Sequence, residues 1–317
     1  MKQEPKDSGR SLSKNLAFSL VALIGFLILL ELLLQLAGLF LATLRDKETK
    51  PGAKVIVCIG DSNTYGLYVK AEEAYPAQLE KLIQADAKNY QVINLGAPGQ
   101  NSSEILRDLP GIFKKYHPSA LVVMVGVNNR WNVAGQEQSL FEKFFYNLKL
   151  YKLFSVIYFR GIKQDSDMIR TRRDTGEIIV HRGRGYIVSD DKTLRDIQRR
   201  FIQDMVKIIE YCRANNVAIV LMTYAGDRTH NYEVPNGLTR QVAKKMNVPM
   251  VDNYALFDSR LYDEKGNLNF ELRNQVLFED IHPKPLGYLW IAENLYEILK
   301  KEKNRGIKFR PEFPLSA

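Results

Sequence analysis

The stretch VIVCIGDSNTYG, residues 55–66, runs from a strand pattern directly into a polar turn. The apolar residues from Val55 to Ile59 are typical of a strand covered on both faces, as in a parallel sheet. The small polar residues Gly-Asp-Ser-Asn then favour a turn. Because ligands bind at the carboxyl ends of the strands in open α/β sheets, Ser62 is a candidate nucleophile. The alternative is a serine that only completes the turn.

The rest of the chain predicts how this strand is packed. Apolar runs at 91–95, 120–125, 217–223 and 249–252 are predicted to form four further strands. Helical patterns lie among them at 75–87, 102–116, 193–216, 237–246 and 284–301. Strands that alternate with helices predict an α/β fold, a three-layer α/β/α sandwich around a mostly parallel five-stranded sheet.

Residues 130–192 interrupt the alternation and are predicted to form an insertion near the carboxyl edge of the sheet. The segment GEIIVHRGRGYIV is predicted to be a hairpin that turns at 183–185. We interpret the aromatic residues of the insertion as its core, with contact to lipid as the alternative: Phe144, Phe145, Tyr146, Tyr151 and Phe154. The basic residues in or beside it are interpreted as a solvated face, with contact to anionic lipid or an acidic polymer as the alternative: Arg170, Arg172, Arg173, Arg182, Arg184, Arg199 and Arg200.

Residues 16–44 are apolar apart from Glu31 and Gln35. At about 1.5 Å per residue this run exceeds the roughly 30 Å hydrocarbon core of a bilayer, and it is longer than the roughly 7 to 15 apolar residues of a signal peptide. We therefore predict an uncleaved transmembrane anchor, rather than a cleaved signal or a buried core helix. Within a membrane, Glu31 would be protonated, near an interface, or facing a partner helix.

The predicted organisation is a tail at 1–15, the anchor at 16–44, a linker at 45–53, an α/β domain at 54–303 that includes the insertion, and a tail at 304–317. Basic residues are balanced on the two sides of the anchor, so they do not set its orientation. We expect the default bacterial arrangement, a single-pass membrane protein with a cytoplasmic N-terminus and a periplasmic or extracellular α/β domain.

Composition narrows the partners. A formal charge of +9 and a pI near 9.3 favour anionic partners, but no recognised nucleic-acid module accompanies the charge, so we expect no nucleic-acid binding. Cys58 lies in a strand pattern and Cys212 in a helical pattern, and both are interpreted as buried packing residues. His117, His181 and His230 lack the spacing of metal ligands, so we expect no metal site.

Four polar motifs carry the chemistry. GDSN at 60–63, NLGAPGQNS at 94–102 and GVNN at 126–129 each follow a predicted strand, and FEDIHP at 278–283 precedes the last helix. Each motif alone is a common turn or loop. In this order and at these spacings, they resemble the SGNH family of GDSL-type esterases and lipases over roughly residues 55–300.

The resemblance implies a flavodoxin-like SGNH fold, no cofactor, and a set of site residues. Ser62 matches the nucleophile, and His282 matches the general base that takes its proton. The Ser62 N–H, the Gly96 N–H and the Asn128 side chain match the three donors of the oxyanion hole. This set is chemically coherent, because a serine hydroxyl needs a base to become a nucleophile and the developing oxyanion needs preorganised donors.

The acid of the site departs from the family pattern. The family places it three residues before the histidine, where this chain has Glu279, whereas Asp280 lies two residues before it. Either carboxylate could orient the imidazole through Nδ1–H, since that role needs only a carboxylate at hydrogen-bond distance. Glu279 and Asp280 therefore both remain candidates.

These features predict a membrane-anchored serine ester hydrolase that cleaves carboxylic esters, of a lipid or an O-acetylated glycan, through an acyl-enzyme on Ser62. One alternative is an O-acyltransferase acting on a cell-envelope polysaccharide, because it would share the first half-reaction. The other is a non-catalytic membrane-bound scaffold, in which Glu279 would mark a decayed site.

Overall fold

A computed structural model describes residues 8–45, 48–86, 89–130, 148–157, 168–171, 178–182, 185–187, 191–228 and 232–304. The chain divides into a helical unit, Met1–Lys47 with Gln138–Asp165, and a sheet unit, Glu48–Glu137 with Ser166–Ala317. Some predicted features lie outside the described residues: Phe144, Phe145, Tyr146, Arg172, Arg173, Arg184, His230 and the tail residues 1–7 and 305–317.

The sheet unit is built on the predicted five-stranded parallel sheet. Its strands lie in the order Tyr90–Asn94, Lys54–Gly60, Ala120–Met124, Ala218–Met222 and Met250–Val251. Every neighbouring pair is parallel. The predicted α/β fold is confirmed, and all the carboxyl ends of these strands lie at one edge.

Both faces of the sheet are buried, as the continuous apolar runs predicted. Along the strand Lys54–Gly60, Ile56 and Cys58 pack into one core, while Val57 and Ile59 pack into the other. Cys212 belongs to the second core, so both cysteines are buried packing residues, as predicted. Helices cover each face, because a strand with two apolar faces needs a layer on both sides.

The helices of the sheet unit divide between the two cores. Those that supply the core of Cys58 are Tyr75–Asp86, Asn253–Leu261, Phe270–Val276 and Pro285–Asn304. Those that supply the core of Cys212 are Ser102–Tyr116, Asp191–Ala214 and Glu233–Met246. Short helical turns lie at Ser62–Tyr65 and Val127–Arg130, which follow the strands Lys54–Gly60 and Ala120–Met124, and at Ala71–Glu73.

Part of the insertion forms a second, three-stranded antiparallel sheet. Its strands are Met168–Thr171, Ile178–Arg182 and Gly185–Ile187. The last two pair with Arg182 opposite Gly185, which confirms the predicted hairpin pairing. The turn residues 183–184 lie outside the described residues.

The described residues of the helical unit form one long and one short helix. Ser8–Arg45 includes a segment, Asn15–Gly38, that is long and apolar enough to cross a membrane, with a mean hydropathy of 2.7. The short helix, Lys149–Ile157, comes from the aromatic part of the insertion. The interpretation of its aromatic residues as core is wrong for Tyr151 and Phe154, which are 39% and 62% exposed.

Candidate active site

Ser62 lies where the sequence placed it, at the carboxyl end of the strand Lys54–Gly60. It opens the short helix Ser62–Tyr65, which Asp61 caps by accepting the Asn63 N–H at 3.0 Å. The Ser62 Oγ lies 2.8 Å from Nε2 of His282, although 220 positions separate the two residues. The fold therefore brings the predicted nucleophile and base into hydrogen-bond contact.

His282 is held by a tight turn before the last helix. The Ile281 N–H donates to the Phe278 carbonyl at 3.1 Å, and the Phe278 N–H donates to the His282 carbonyl at 2.9 Å. Ile281 closes this turn in the left-handed region, at φ 60°. A β-branched residue is rare there and glycine is usual, so the turn stores backbone strain beside the histidine.

The left-handed turn brings Asp280, rather than Glu279, to the imidazole. Asp280 Oδ2 lies 3.0 Å from His282 Nδ1, and its Oδ1 accepts the His282 backbone N–H at 3.3 Å. The distance to Nδ1 is that of a hydrogen bond, but the angle departs from linearity, since Nδ1 has no well-aligned partner. Glu279 is exposed, and among the described contacts no hydrogen bond or ion pair joins it to His282.

The charge of Asp280 is favoured by its contacts. Partial burial raises the pKa of Asp280, but the hydrogen bonds and charge of His282, with a hydrogen bond from Tyr68, more than offset burial and hold it below the usual value. Asp280 is therefore ionised at neutral pH, the state that can accept a proton-bearing Nδ1.

Tyr68 is a site residue that the sequence analysis missed. Its ring packs edge-on against the His282 ring, with centroids 5.4 Å apart, and against the Phe278 ring at 5.5 Å. It also hydrogen-bonds to Asp280 and adopts a positive φ of 71°. Because Tyr68 lies far from residue 282 in the chain, no local sequence pattern indicated this contact.

Gly96 lies against the helix that begins at Ser62. A Cβ on Gly96 would lie 2.3 Å from the Tyr65 nitrogen, so only glycine allows this approach. The Gly96 N–H donates to the Asn94 side chain at 2.9 Å, and the Asn94 amide donates to the Tyr65 carbonyl at 3.4 Å. The Gly96 N–H can therefore serve an oxyanion only by sharing or releasing the bond to Asn94.

Asn128, the third predicted donor, is positioned by a buried network. Its Nδ2 donates to the Gln100 carbonyl at 3.1 Å. The neighbouring Asn129 donates to the Ser102 hydroxyl at 2.6 Å and accepts the Ser102 N–H at 3.2 Å. The Ser102 hydroxyl in turn donates to the buried carboxylate of Asp204 at 2.6 Å, so the turn that carries Asn128 is fixed to two helices.

A second buried network lies behind the nucleophile. Tyr224 donates to Asp61 Oδ2 at 2.5 Å and accepts the Val127 N–H at 3.3 Å. Burial raises the pKa of Asp61, and the hydrogen bonds from Tyr224 and Asn63 offset only part of this. Burial also raises the pKa of Tyr224 well above its usual value, so its hydroxyl stays a donor. Tyr224 thus joins the turn of Ser62 to the turn of Asn128.

The part of the chain that the structure describes contains no group of three or more His, Cys, Asp or Glu side chains that could hold a metal ion. His117 caps the end of the helix Ser102–Tyr116 in the left-handed conformation. Its position is explained by that local role.

The chain is similar to several known proteins. The sequence model of the GDSL-like Lipase/Acylhydrolase family matches residues 58–290. No match was found among curated proteins. Similar solved structures include TesA, at 15% identity, a TM-score of 0.47 and coverage of 78% of this chain and 99% of that chain. The psychrotrophic esterase EstA from Pseudoalteromonas sp. has 14% identity, a TM-score of 0.45 and coverage of 79% and 99%.

A GDSL-like lipase from Bacteroides thetaiotaomicron VPI-5482 has 13% identity, a TM-score of 0.43 and coverage of 82% of this chain and 93% of that chain. The family model is the comparison that decides the assignment, because it spans most of the sheet unit and contains all four motifs. The chain belongs to the GDSL-like lipase/acylhydrolase family.

Proposed function

We propose that this chain is a membrane-anchored serine ester hydrolase that acts through an acyl-enzyme on Ser62. The observation that carries the proposal is the 2.8 Å contact between Ser62 Oγ and His282 Nε2. Asp280 stands behind the same imidazole, 3.0 Å from Nδ1. A serine, a histidine and a carboxylate in this sequence of contacts form the arrangement that activates a hydroxyl for attack on an acyl group.

The proposed reaction has two halves. Ser62 Oγ attacks the ester carbonyl carbon while its proton passes to His282 Nε2, and collapse of the tetrahedral intermediate expels the alcohol, which takes that proton. Water then attacks the acyl-enzyme and gives a proton to His282. The second intermediate releases the carboxylic acid and returns the proton to Ser62. Asp280 stays ionised throughout and orients the imidazole.

The negative oxygen of each intermediate needs hydrogen-bond donors. We propose the Ser62 N–H, the Gly96 N–H and the Asn128 amide for this role, because all three follow strand ends of the same sheet edge. Asn128 is supported by the network through Asn129, which limits its reorganisation. For Gly96, the bond to Asn94 has to be shared with the substrate oxygen.

A fluorophosphonate probe tests the nucleophile directly. We expect the full-length chain in detergent to be labelled on Ser62, and Ser62→Ala to lose labelling. The matched control is Ser259→Ala, because Ser259 is exposed and bonds only to the Leu256 carbonyl among the described contacts. An unlabelled protein with an intact cooperative unfolding transition would refute the assignment and favour a scaffold.

We propose a lipid ester or an O-acetylated glycan as the substrate. A panel of esters from acetyl to palmitoyl, assayed with and without anionic vesicles, identifies the acyl length. Adding glycan acceptors separates hydrolysis from transfer, since a transferase would produce acylated glycan in preference to free acid.

The membrane part of the proposal rests on the segment Asn15–Gly38, which is exposed throughout most of its length. We propose that it is an uncleaved anchor and that the sheet unit lies outside the cytoplasm. A membrane-impermeant maleimide should then label an exposed Lys265→Cys in intact cells. Cys58 and Cys212 do not interfere, because burial raises the pKa of both thiols to about 12. Labelling only after lysis would show the opposite orientation, with the sheet unit in the cytoplasm.

A further inference from the structure

The proposed anchor carries a polar side chain that the ester chemistry does not use. Glu31 is the only acidic residue of Asn15–Gly38 and lies about 10 Å from its C-terminal end at 1.5 Å per residue. A carboxyl group inside an apolar span is costly and normally has a partner. In the structure, the groups that bind this carboxyl belong to a second segment of the chain, which therefore lies beside the span at the position of Glu31.

Glu31 caps the short helix Lys149–Ile157. Its Oε1 accepts the Lys149 N–H at 2.9 Å, and its Oε2 accepts the Leu150 N–H at 2.8 Å. Gln35 donates to Oε1 at 2.6 Å. The first N–H groups of a helix have no partner within the helix, and a carboxylate also suits the positive end of its dipole. Of the three possibilities considered for Glu31 within a membrane, the structure shows the third, in which Glu31 faces a partner helix.

One stripe of the anchor is partly buried. Within Asn15–Gly38, five residues are half-buried and the others are exposed: Leu30, Glu31, Leu34, Gln35 and Gly38. Their spacing places them on one face of a helix. The side chain of Lys149 extends to Gly38, where a Cβ would lie 3.5 Å from its Cε and 3.7 Å from its Nζ. Its ammonium group thus lies towards the end of the span, as a lysine that reaches from apolar surroundings to water does.

Three large apolar side chains of the short helix are exposed. Tyr151, Leu153 and Phe154 are 39%, 42% and 62% exposed, and its nine residues are too few to span a bilayer. In lipid, a helix end is tolerated only where its backbone N–H groups have partners inside the protein. The Glu31 contacts meet this requirement for the first two N–H groups.

From these contacts we propose that Lys149–Ile157 is a second membrane-embedded element, which lies in one leaflet beside the anchor and buries Tyr151, Leu153 and Phe154 among lipid acyl chains. This inference rests on the proposed membrane anchor. The occupant of the exposed face is the lipid bilayer, because the helix is fixed to a residue inside the span.

Depth-dependent quenching tests the proposal. Bimane-labelled Phe26→Cys, Phe154→Cys and Lys265→Cys variants of the full chain are placed in phosphatidylcholine and phosphatidylglycerol vesicles that contain doxyl lipids. Phe26 is 59% exposed on the anchor, and Lys265 is exposed in the sheet unit. We expect quenching at positions 26 and 154 and none at 265.

Each other outcome overturns the inference. Quenching at 26 without quenching at 154 leaves the anchor intact and removes the second element. Quenching at neither position removes the anchor as well. Crosslinking of Phe154→Cys between two chains, with no quenching, assigns the face to a second copy. Fluorophosphonate labelling of each variant reports separately on the ester site, so failure of the membrane inference and failure of the catalytic proposal are distinguishable.

The role of Glu31 has its own matched pair of variants. Glu31→Ala should reduce quenching at position 154 and leave quenching at position 26 unchanged, because it removes both acceptors of the helix N–H groups. Glu31→Gln keeps one carbonyl oxygen as an acceptor and should reduce quenching at position 154 less than Glu31→Ala does. Equal quenching at position 154 in Glu31→Ala and the unaltered chain would show that this contact does not hold the helix in the membrane.

Discussion

The choice between two adjacent carboxylates gives the most direct test of the site. Asp280→Ala removes the group that lies 3.0 Å from His282 Nδ1, whereas Glu279→Ala removes an exposed neighbour. The two substitutions lie in the same turn, and each removes one negative charge. The comparison therefore separates an orienting contact from a general effect of charge near the site.

The size of the effect follows from the geometry. A well-aligned hydrogen bond to a charged group is worth about 1.5–3 kcal/mol, and the poor alignment at Nδ1 and the 46% exposure of the Asp280 side chain place this contact at the lower end, about 1.5–2 kcal/mol. At 1.36 kcal/mol per factor of ten, Asp280→Ala should lower kcat/KM about 10- to 30-fold. Glu279→Ala should change it less than about twofold, the range of an unpaired surface charge.

The assay is p-nitrophenyl acetate hydrolysis between pH 6 and 9, with active sites counted by fluorophosphonate labelling. The contacts of His282 hold the pKa of Asp280 below its usual value, so its carboxylate is ionised over this whole range. The Asp280→Ala loss in kcat should therefore be present at both ends of this range, because Asp280 itself does not titrate within it. An Asp280→Ala loss below threefold, or an equal loss in Glu279→Ala, would refute the assignment.

Two further substitutions test how the site is held. Gly96→Ala places a Cβ 2.3 Å from the Tyr65 nitrogen, so kcat should fall at least about 10²-fold, the worth of one oxyanion donor. Its control, Gly111→Ala, meets nothing within 4 Å and should raise the free energy of unfolding by about 0.5–1 kcal/mol; similar behaviour of the two variants would contradict the packing argument. Tyr224→Phe removes a donor to the buried carboxylate of Asp61 and should lower the free energy of unfolding by about 1–3 kcal/mol in urea, together with kcat. An unchanged unfolding midpoint would argue against this network.

The sheet was predictable because its strands are buried on both faces. Continuous apolar runs at all five strands left few other arrangements, and the helix Ser102–Tyr116 has the predicted bounds. Its start is marked by a capping box in which Asn101 accepts the Glu104 N–H and Glu104 accepts the Asn101 N–H. The helices Asn253–Leu261 and Phe270–Val276 were not predicted, since they are short and are stabilised by contacts with distant residues, such as Phe257 with Trp290.

The site was predictable only in part, because some of its contacts also depend on residues that are distant in the chain. The positions of Ser62, Gly96 and Asn128 follow from strand ends that meet at one edge, whereas His282 lies in the loop before the last helix and was assigned through its match to the family motif. The contacts of Tyr68 and Tyr224 depend on tertiary packing and have no local pattern. The choice of Asp280 over Glu279 beside the imidazole depends on one backbone angle, at Ile281, and isoleucine is among the residues from which a positive φ is least expected.

That angle at Ile281 has a consequence for recognising such sites in other chains. A carboxylate that lies two positions before the histidine, instead of three, can contact the imidazole when the residue between them has a positive φ. The contact then depends on the backbone of that residue more than on the length of the acidic side chain. Relatives with a shortened spacing should then accept glycine or asparagine between acid and histidine, and reject proline, whose φ is fixed near −65°. A pattern that demands a fixed interval would classify them as inactive, whereas one that reads the residue between the two would retain them.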